Sequence, residues 1–154
     1  MLGSLKKSPL YGSQGEDGLV FSSWPSLENL KAKNNDVLKT LRLKKVEWII
    51  AYDRIYRFRI TLSDGSTKKS YPLHEEFIFP DDRPVRSVRI RHDAYFVYSL
   101  QFIDAANKVI KHIITTNKGE WSTLNLEEGE DIVGIQAREN SSVMMAIGFL
   151  TIKK

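Results

Sequence analysis

Phe77-Ile78-Phe79-Pro80-Asp81-Asp82-Arg83-Pro84-Val85-Arg86-Ser87-Val88 and Leu124-Asn125-Leu126-Glu127-Glu128-Gly129-Glu130-Asp131-Ile132-Val133-Gly134-Ile135 carry one pattern twice, 47 residues apart. Each sets two large apolar residues two positions apart, then a polar turn, then apolar residues again. The match runs on without a gap. Ile90 falls on Ala137, Leu100 on Ile147 and Phe102 on Phe149. Shifted the other way, Leu30 falls on Phe77, Ala32 on Phe79, Leu38 on Val85, Leu41 on Val88 and Leu43 on Ile90. The match resumes at Phe58 and Ile60 after five extra residues between Val46 and Ile55. A fixed period of this length marks an internal repeat. Three units are expected, starting near residues 30, 77 and 124.

Within each unit the apolar residues alternate with polar ones, as in Leu41-Arg42-Leu43, Phe58-Arg59-Ile60 and Val88-Arg89-Ile90. Period 2 is the signature of half-buried strands, and short runs between turn residues predict an all-β fold. Asp64-Gly65 predicts a hairpin turn leading toward a strand at Ser70-Tyr71. No long helix is expected, and Ser26 to Asn34 has only weak helical character. The third unit stops at Lys154 without the extra strand of the others. Gly18-Leu19-Val20-Phe21 is the spare segment expected to supply it and close the molecule, which would remove an open edge.

The chain has 154 residues, 42% hydrophobic and 27% charged, which fits one globular domain. It has no cysteine, so disulfides, thiolate metal sites and cysteine nucleophiles are excluded. No apolar run reaches the ~18 residues of a membrane span. No secretory signal is read at the N-terminus, so a cytoplasmic location is expected. Net charge is +4. Between Lys31 and Lys69 eleven Lys/Arg face four acids, or +7, which leaves −3 for the rest.

Val97-Tyr98-Ser99-Leu100-Gln101-Phe102, Glu128-Gly129-Glu130-Asp131-Ile132-Val133-Gly134-Ile135 and Ala146-Ile147-Gly148-Phe149-Leu150 resemble strands of the jacalin-related lectins. Gly12, Gly15 and Gly18 resemble that family's Gly-rich N-terminal segment. The resemblance covers roughly Tyr11 to Ile152. It implies a pseudo-threefold β-prism of three Greek-key-like four-stranded sheets. The alternative is a β-trefoil, whose Gln-x-Trp motif is absent. The expected organisation is a flexible lead at residues 1–12 and a single domain at 13–154.

The resemblance also implies a binding place. In jacalin-type lectins the sugar sits in a loop of the last unit carrying Gly-x-x-x-Asp, helped by the Gly-rich segment. A carboxylate there accepts hydrogen bonds from adjacent hydroxyls. In this chain Asn140 stands at the Gly position and Met144 at the Asp position. The candidate ligand-binding set is therefore Gly15, Arg138, Glu139, Asn140, Ser141, Ser142 and Met144, an altered site.

A second candidate surface is basic. With Leu41, Leu43, Phe58 and Ile60 inward, alternation turns Arg42, Lys44, Arg57 and Arg59 outward. Arg89 and Arg91 occupy the matching places in the second unit. Trp48 lies in the stretch read as an insertion, Val46 to Tyr52, free to cap the fold or to meet a protein.

His74, His92 and His112 lack the spacing of a metal motif. There is no Gly-x-Ser-x-Gly, P-loop or dinucleotide fingerprint, so no enzyme, cofactor or metal is expected. The sequence thus predicts a non-catalytic binding module for carbohydrate. The alternative is a protein-interaction or structural component that docks an acidic protein surface through the basic face. Pairing of the basic and acidic thirds between copies would give a homo-oligomer. Nucleic acid is disfavoured by the small net charge and the lack of a motif.

Overall fold

The computed structural model describes residues 5–15, 19–69, 72–141 and 143–154. Its elements in chain order are β1 (Leu5–Lys7), β2 (Tyr11–Gly12), β3 (Val20–Trp24), α1 (Leu27–Lys31), α2 (Asn35–Thr40), β4 (Leu43–Ala51), β5 (Arg54–Leu62), β6 (Glu75–Ile78), β7 (Ser87–His92), β8 (Val97–Ile103), β9 (Val109–Ile113), β10 (Glu120–Asn125), β11 (Glu130–Asn140) and β12 (Val143–Lys153).

Three antiparallel sheets form around three hairpins. Sheet A has the order β1-β12-β11-β3, with β2 also on β12; sheet C is β10-β7-β8-β9; sheet B is β5-β4-β6. In sheet C the strand after the hairpin flanks its second strand, and the next one returns to flank its first. That is a Greek key. Sheet B follows the same course; among the described residues it has three strands, and the place of its further strand is marked by the bridge Thr61↔Thr67.

Sheet A completes its key with the N-terminus, as the missing strand demanded. Three segments are used rather than one, and the place of the missing strand, along β12, is taken by the first two and not by Val20-Phe21. Leu5–Lys7 and Tyr11–Gly12 lie along β12, and Val20–Trp24 lies along β11. The lead expected to be loose is thus partly sheet, because β12 offers unpaired backbone groups that need partners. Gly18, Ser70 and Tyr71 lie outside the described residues.

The hairpins repeat in register. Val46↔Ile60, Val88↔Phe102 and Ile135↔Phe149 are equivalent pairs, each 14 positions apart. Each hairpin slips by one residue near its turn, at Ile49/Ile50, Arg91/His92 and Arg138/Glu139. The extra residues are Tyr56, Tyr98 and Met145. A bulge at the same place in all three units twists each hairpin end alike.

This register corrects two expectations. First, Val46 to Tyr52 is no insertion. Trp48 pairs with Phe58 as Ile90 pairs with Leu100, and it is only 5% exposed. Second, Leu30 and Ala32 are not in a strand. The true counterpart of Phe77 and Leu124 is Trp24, since these three pair with Val46, Val88 and Ile135. From Trp24 to Val46 is 22 positions, against 11 in the other units. The extra chain forms α1 and α2. Ser26 and Asn34 cap them by accepting from the Asn29 and Asp36 backbone N–H groups. Leu30 and Leu38 then plug the core from helices.

The core lies between the three sheets. It is built on Val46, Ile60, Leu62, Val88, Ile90, Leu100, Phe102, Ile147, Phe149 and Leu150, all at 1% exposure or less. Phe79 stands edge-on to Phe102 at 5.2 Å, which ties sheet B to sheet C.

Candidate functional site

The hairpin turns gather at one end of the prism. Arg54, just past the Tyr52-Asp53 turn, lies 4.0 Å over the Phe96 ring of the second hairpin. Tyr11, paired with Ile147 of the third hairpin, packs 5.5 Å from His92 of the second. The implied binding loop and its two counterparts therefore share a surface.

In the third unit the implied site is divided by strand alternation. Arg138 turns outward. Its guanidinium donates to the Ser13 carbonyl and lies 3.5 Å from where a Gly15 side chain would begin. It thus fills the notch between the N-terminal segment and the hairpin. Glu139 turns the other way, accepts from Ser22 at 2.9 Å and pairs with Lys68 at 3.9 Å. Met144 is 4% exposed and belongs to the core, so it cannot stand in for a sugar-facing carboxylate. Asn140 and Ser141 are exposed at the turn, and Ser141 holds φ at 50°. Ser142 lies outside the described residues. Of the implied set, the geometry keeps Gly15, Arg138, Asn140 and Ser141 together and sends Glu139 and Met144 to the opposite face.

The first two units present something the sequence reading passed over. Tyr52 and Tyr95 are 80% and 53% exposed at their turns. Tyr52 tilts against Tyr56 at 5.8 Å, and Arg54 lies within 5.9 Å of both rings. Tyr95 leans on Phe96, and Phe96 stands edge-on to Tyr98. Asp93 holds this arrangement. Its carboxylate accepts from the Tyr95 and Phe96 backbone N–H groups and, at 2.6 Å, from the Tyr98 hydroxyl. Burial works to raise the Asp93 carboxyl, but these bonds outweigh it and hold it below the usual range. Burial and the Asp93 bond together push the Tyr98 hydroxyl up to about 12. The legible signal was the placing of tyrosines at equivalent turns.

The basic surface does not form one patch. Arg42 and Lys44 converge on Asp81, far from the hairpin turns. Arg59 grips Glu47 with two bonds, of 3.2 and 2.7 Å, and Lys45 bridges Glu47 and Glu76. Arg89 and Arg91 sit over the Trp121 ring at 4.5 and 5.4 Å. Arg57 lies beside Tyr56. Like charges on one sheet face repel unless compensated, and here carboxylates and rings compensate them. Trp48, buried, is covered by Lys111 rather than offered to a partner.

No family model and no curated protein matches this chain. Solved structures do. A crystal structure of a lamprey immune protein matches with a TM-score of 0.68 and 16% identity, over 99% of this chain and 46% of that one. The chain thus spans less than half of the lamprey protein. A mannose-binding jacalin-related lectin from Ananas comosus matches at 0.64 and 17%, over 97% and 99%. Malaysian banana lectin matches at 0.63 and 16%, over 98% and 100%. With its three Greek-key sheets, this chain has the β-prism fold of the jacalin-related lectins.

Proposed function

We propose that the protein is a non-catalytic module that binds carbohydrate at the hairpin end of the prism. The observation that carries this is the pair of exposed rings, Tyr52 and Tyr95, with Arg54 packed on the first and over Phe96 beside the second, at the hairpin end that also carries Asn140 and Ser141. A sugar ring has an apolar C–H face and a rim of hydroxyls. Rigid aromatic faces suit the first, and a few fixed polar groups suit the second. Arg138 brings guanidinium donors to the third turn in place of an acceptor carboxylate. The recognition chemistry is thereby altered from carboxylate-led to aromatic- and donor-led. The full-length fold match to a mannose-binding lectin supports the same reading.

A glycan array tests it. Binding is expected to fall at least about tenfold, or ~1.4 kcal/mol, in Tyr52→Ala and Asn140→Ala. Arg42→Glu, at the distant Asp81 cluster, should leave it unchanged. An array without hits at high protein concentration overturns the proposal.

A further inference from the structure

The outer faces of the three hairpins can be compared position by position, because they share a register. Arg89 is the counterpart of Glu47 and Gln136, and its cross-strand partner Gln101 is the counterpart of Arg59 and Gly148. In the first unit that place holds the Glu47–Arg59 ion pair. In the third unit the N-terminal segment covers it, with Gln136 donating to the Ser8 carbonyl. In the second unit it holds an arginine that donates to a neutral amide, Gln101, at 3.1 Å. Val88 and Ile90 are fully buried, so alternation turns Arg91 to the same outer face as Arg89. The Arg91 guanidinium donates to the Asn117 and Lys118 carbonyls.

No carboxylate neutralises these two charges. Glu120 is the only acid in β7 to β10, and it pairs with His92, so alternation turns it away from the Trp121 side. Among the described residues, both arginines hydrogen-bond only to the Gln101 amide and the two loop carbonyls. The half-buried Trp121 ring packs on both, at 4.5 and 5.4 Å, and reaches His112 at 6.1 Å. That ring softens the repulsion but carries no negative charge. Burial, joined by the charges of Arg89 and Lys111, holds the His112 imidazole below its ordinary value, and the second cause is the mark of a positive field. Gln101, the loop carbonyls and the indole hold the guanidiniums in place, so the arrangement exists before any ligand arrives.

We propose that this face of sheet C binds a carboxylate-bearing saccharide, a uronic acid, with the carboxylate on Arg89 and Arg91 and the C–H face of the sugar ring on Trp121. Guanidinium donors match the two oxygens of a carboxylate. An indole beside those donors suits a ring whose apolar face adjoins a charged group. An acidic peptide would meet the arginines but would leave the indole without a ring to stack on it. The inference rests on the reading of the chain as a carbohydrate-binding module, but it uses other residues. Tyr52 and Asn140 stand at the ends of the other two hairpins.

Titration of the full chain with tetragalacturonic acid tests the proposal by calorimetry and amide chemical shifts. Its methyl ester serves as the uncharged analogue, and hexaglutamate as a charged ligand without rings. The acid is expected to bind saturably and at least about tenfold tighter than either. Its shifts should concentrate in β7 and β10. An Arg89→Gln, Arg91→Gln double variant should weaken the acid at least about tenfold, and so should Trp121→Ala. Tyr52→Ala should leave it unchanged. Ester or hexaglutamate binding as tight as the acid overturns the proposal. So does an acid affinity unchanged in the double arginine variant, or lowered by Tyr52→Ala, or a lack of saturable binding up to about 10 mM. Should Trp121→Ala fail to fold, the double arginine variant on the surface still decides. Failure here with Tyr52-dependent glycan binding intact removes this site alone. Acid binding through Arg89 and Arg91 without any Tyr52-dependent glycan removes the hairpin-end reading and keeps this one.

Discussion

Gly148 shows how single residues hold this fold together. A Cβ there would lie 2.7 Å from the Pro9 carbonyl oxygen and 2.9 Å from Gln136 Nε2. The backbone of the N-terminal segment crosses β12 at that point, and Gln136 donates to the Ser8 carbonyl at 2.8 Å. Gly148→Ala must push backbone aside and should cost about 1–3 kcal/mol, read from the urea midpoint. Asp64 gives a pH signature. Burial works to raise its carboxyl, but bonds from Lys33 and Ser66 outweigh this and hold it at about 2 against an ordinary 3.8. A lowered carboxylate pKa adds stability above the unfolded value, and the gain is lost as pH falls from about 4 to 2. Discounted for solvent exposure, the gain is about 1 kcal/mol. Asp64→Asn should therefore lower the urea midpoint at pH 5 and matter less at pH 2.

At the scale of elements, the β4–β5 hairpin joins the core to its charged face. Glu47 is 9% exposed and carries bonds from Arg59 and Lys45. Glu47→Ala removes the carboxylate from two neighbouring cations at a mostly buried position. The expected cost is about 2–4 kcal/mol in urea unfolding. Arg42→Ala, at the exposed Asp81, should leave the midpoint unchanged. The second and third hairpins were legible because equal lengths put Val88 on Ile135 and Phe102 on Phe149 without a gap. The first was misread by five residues. Leu30 and Leu41 are apolar and buried in any case, and a few buried leucines fit a strand period and a helix period equally well. The caps at Ser26 and Asn34 were the better signal. The bulge at Tyr56, Tyr98 and Met145 was invisible, because an extra residue in a ladder leaves no mark on composition. Glu139 and Met144 were grouped with Arg138 and Asn140 because the loop was read as one stretch of sequence, whereas alternation along β11 and β12 divides it.

At the scale of the whole molecule, closure rests on chain segments far apart in sequence. That a spare N-terminal strand was needed could be counted from the repeat. That two segments share the work could not, since Leu5–Lys7 and Tyr11–Gly12 carry too few residues for a period to show. Deleting residues 1–13 uncovers the edge of β12. Such an edge recruits other chains. The truncated protein should unfold at lower urea and form oligomers by light scattering, whereas the full chain under the same conditions should do so less.

Sheet A also has a history in time. Its β3 ends at Trp24, whereas its neighbour β11 begins only at Glu130. A ribosome adding 5–20 residues per second takes roughly 5–20 s to cover that interval. Sheets B and C can pair as they emerge, from consecutive stretches of chain. The segment with Val20 and Phe21, still exposed at 64% and 53% in the finished protein, must wait for its partner through nearly the whole of synthesis. The first strands made are the last to find their place, and this interval is when the nascent chain is most open to mispairing.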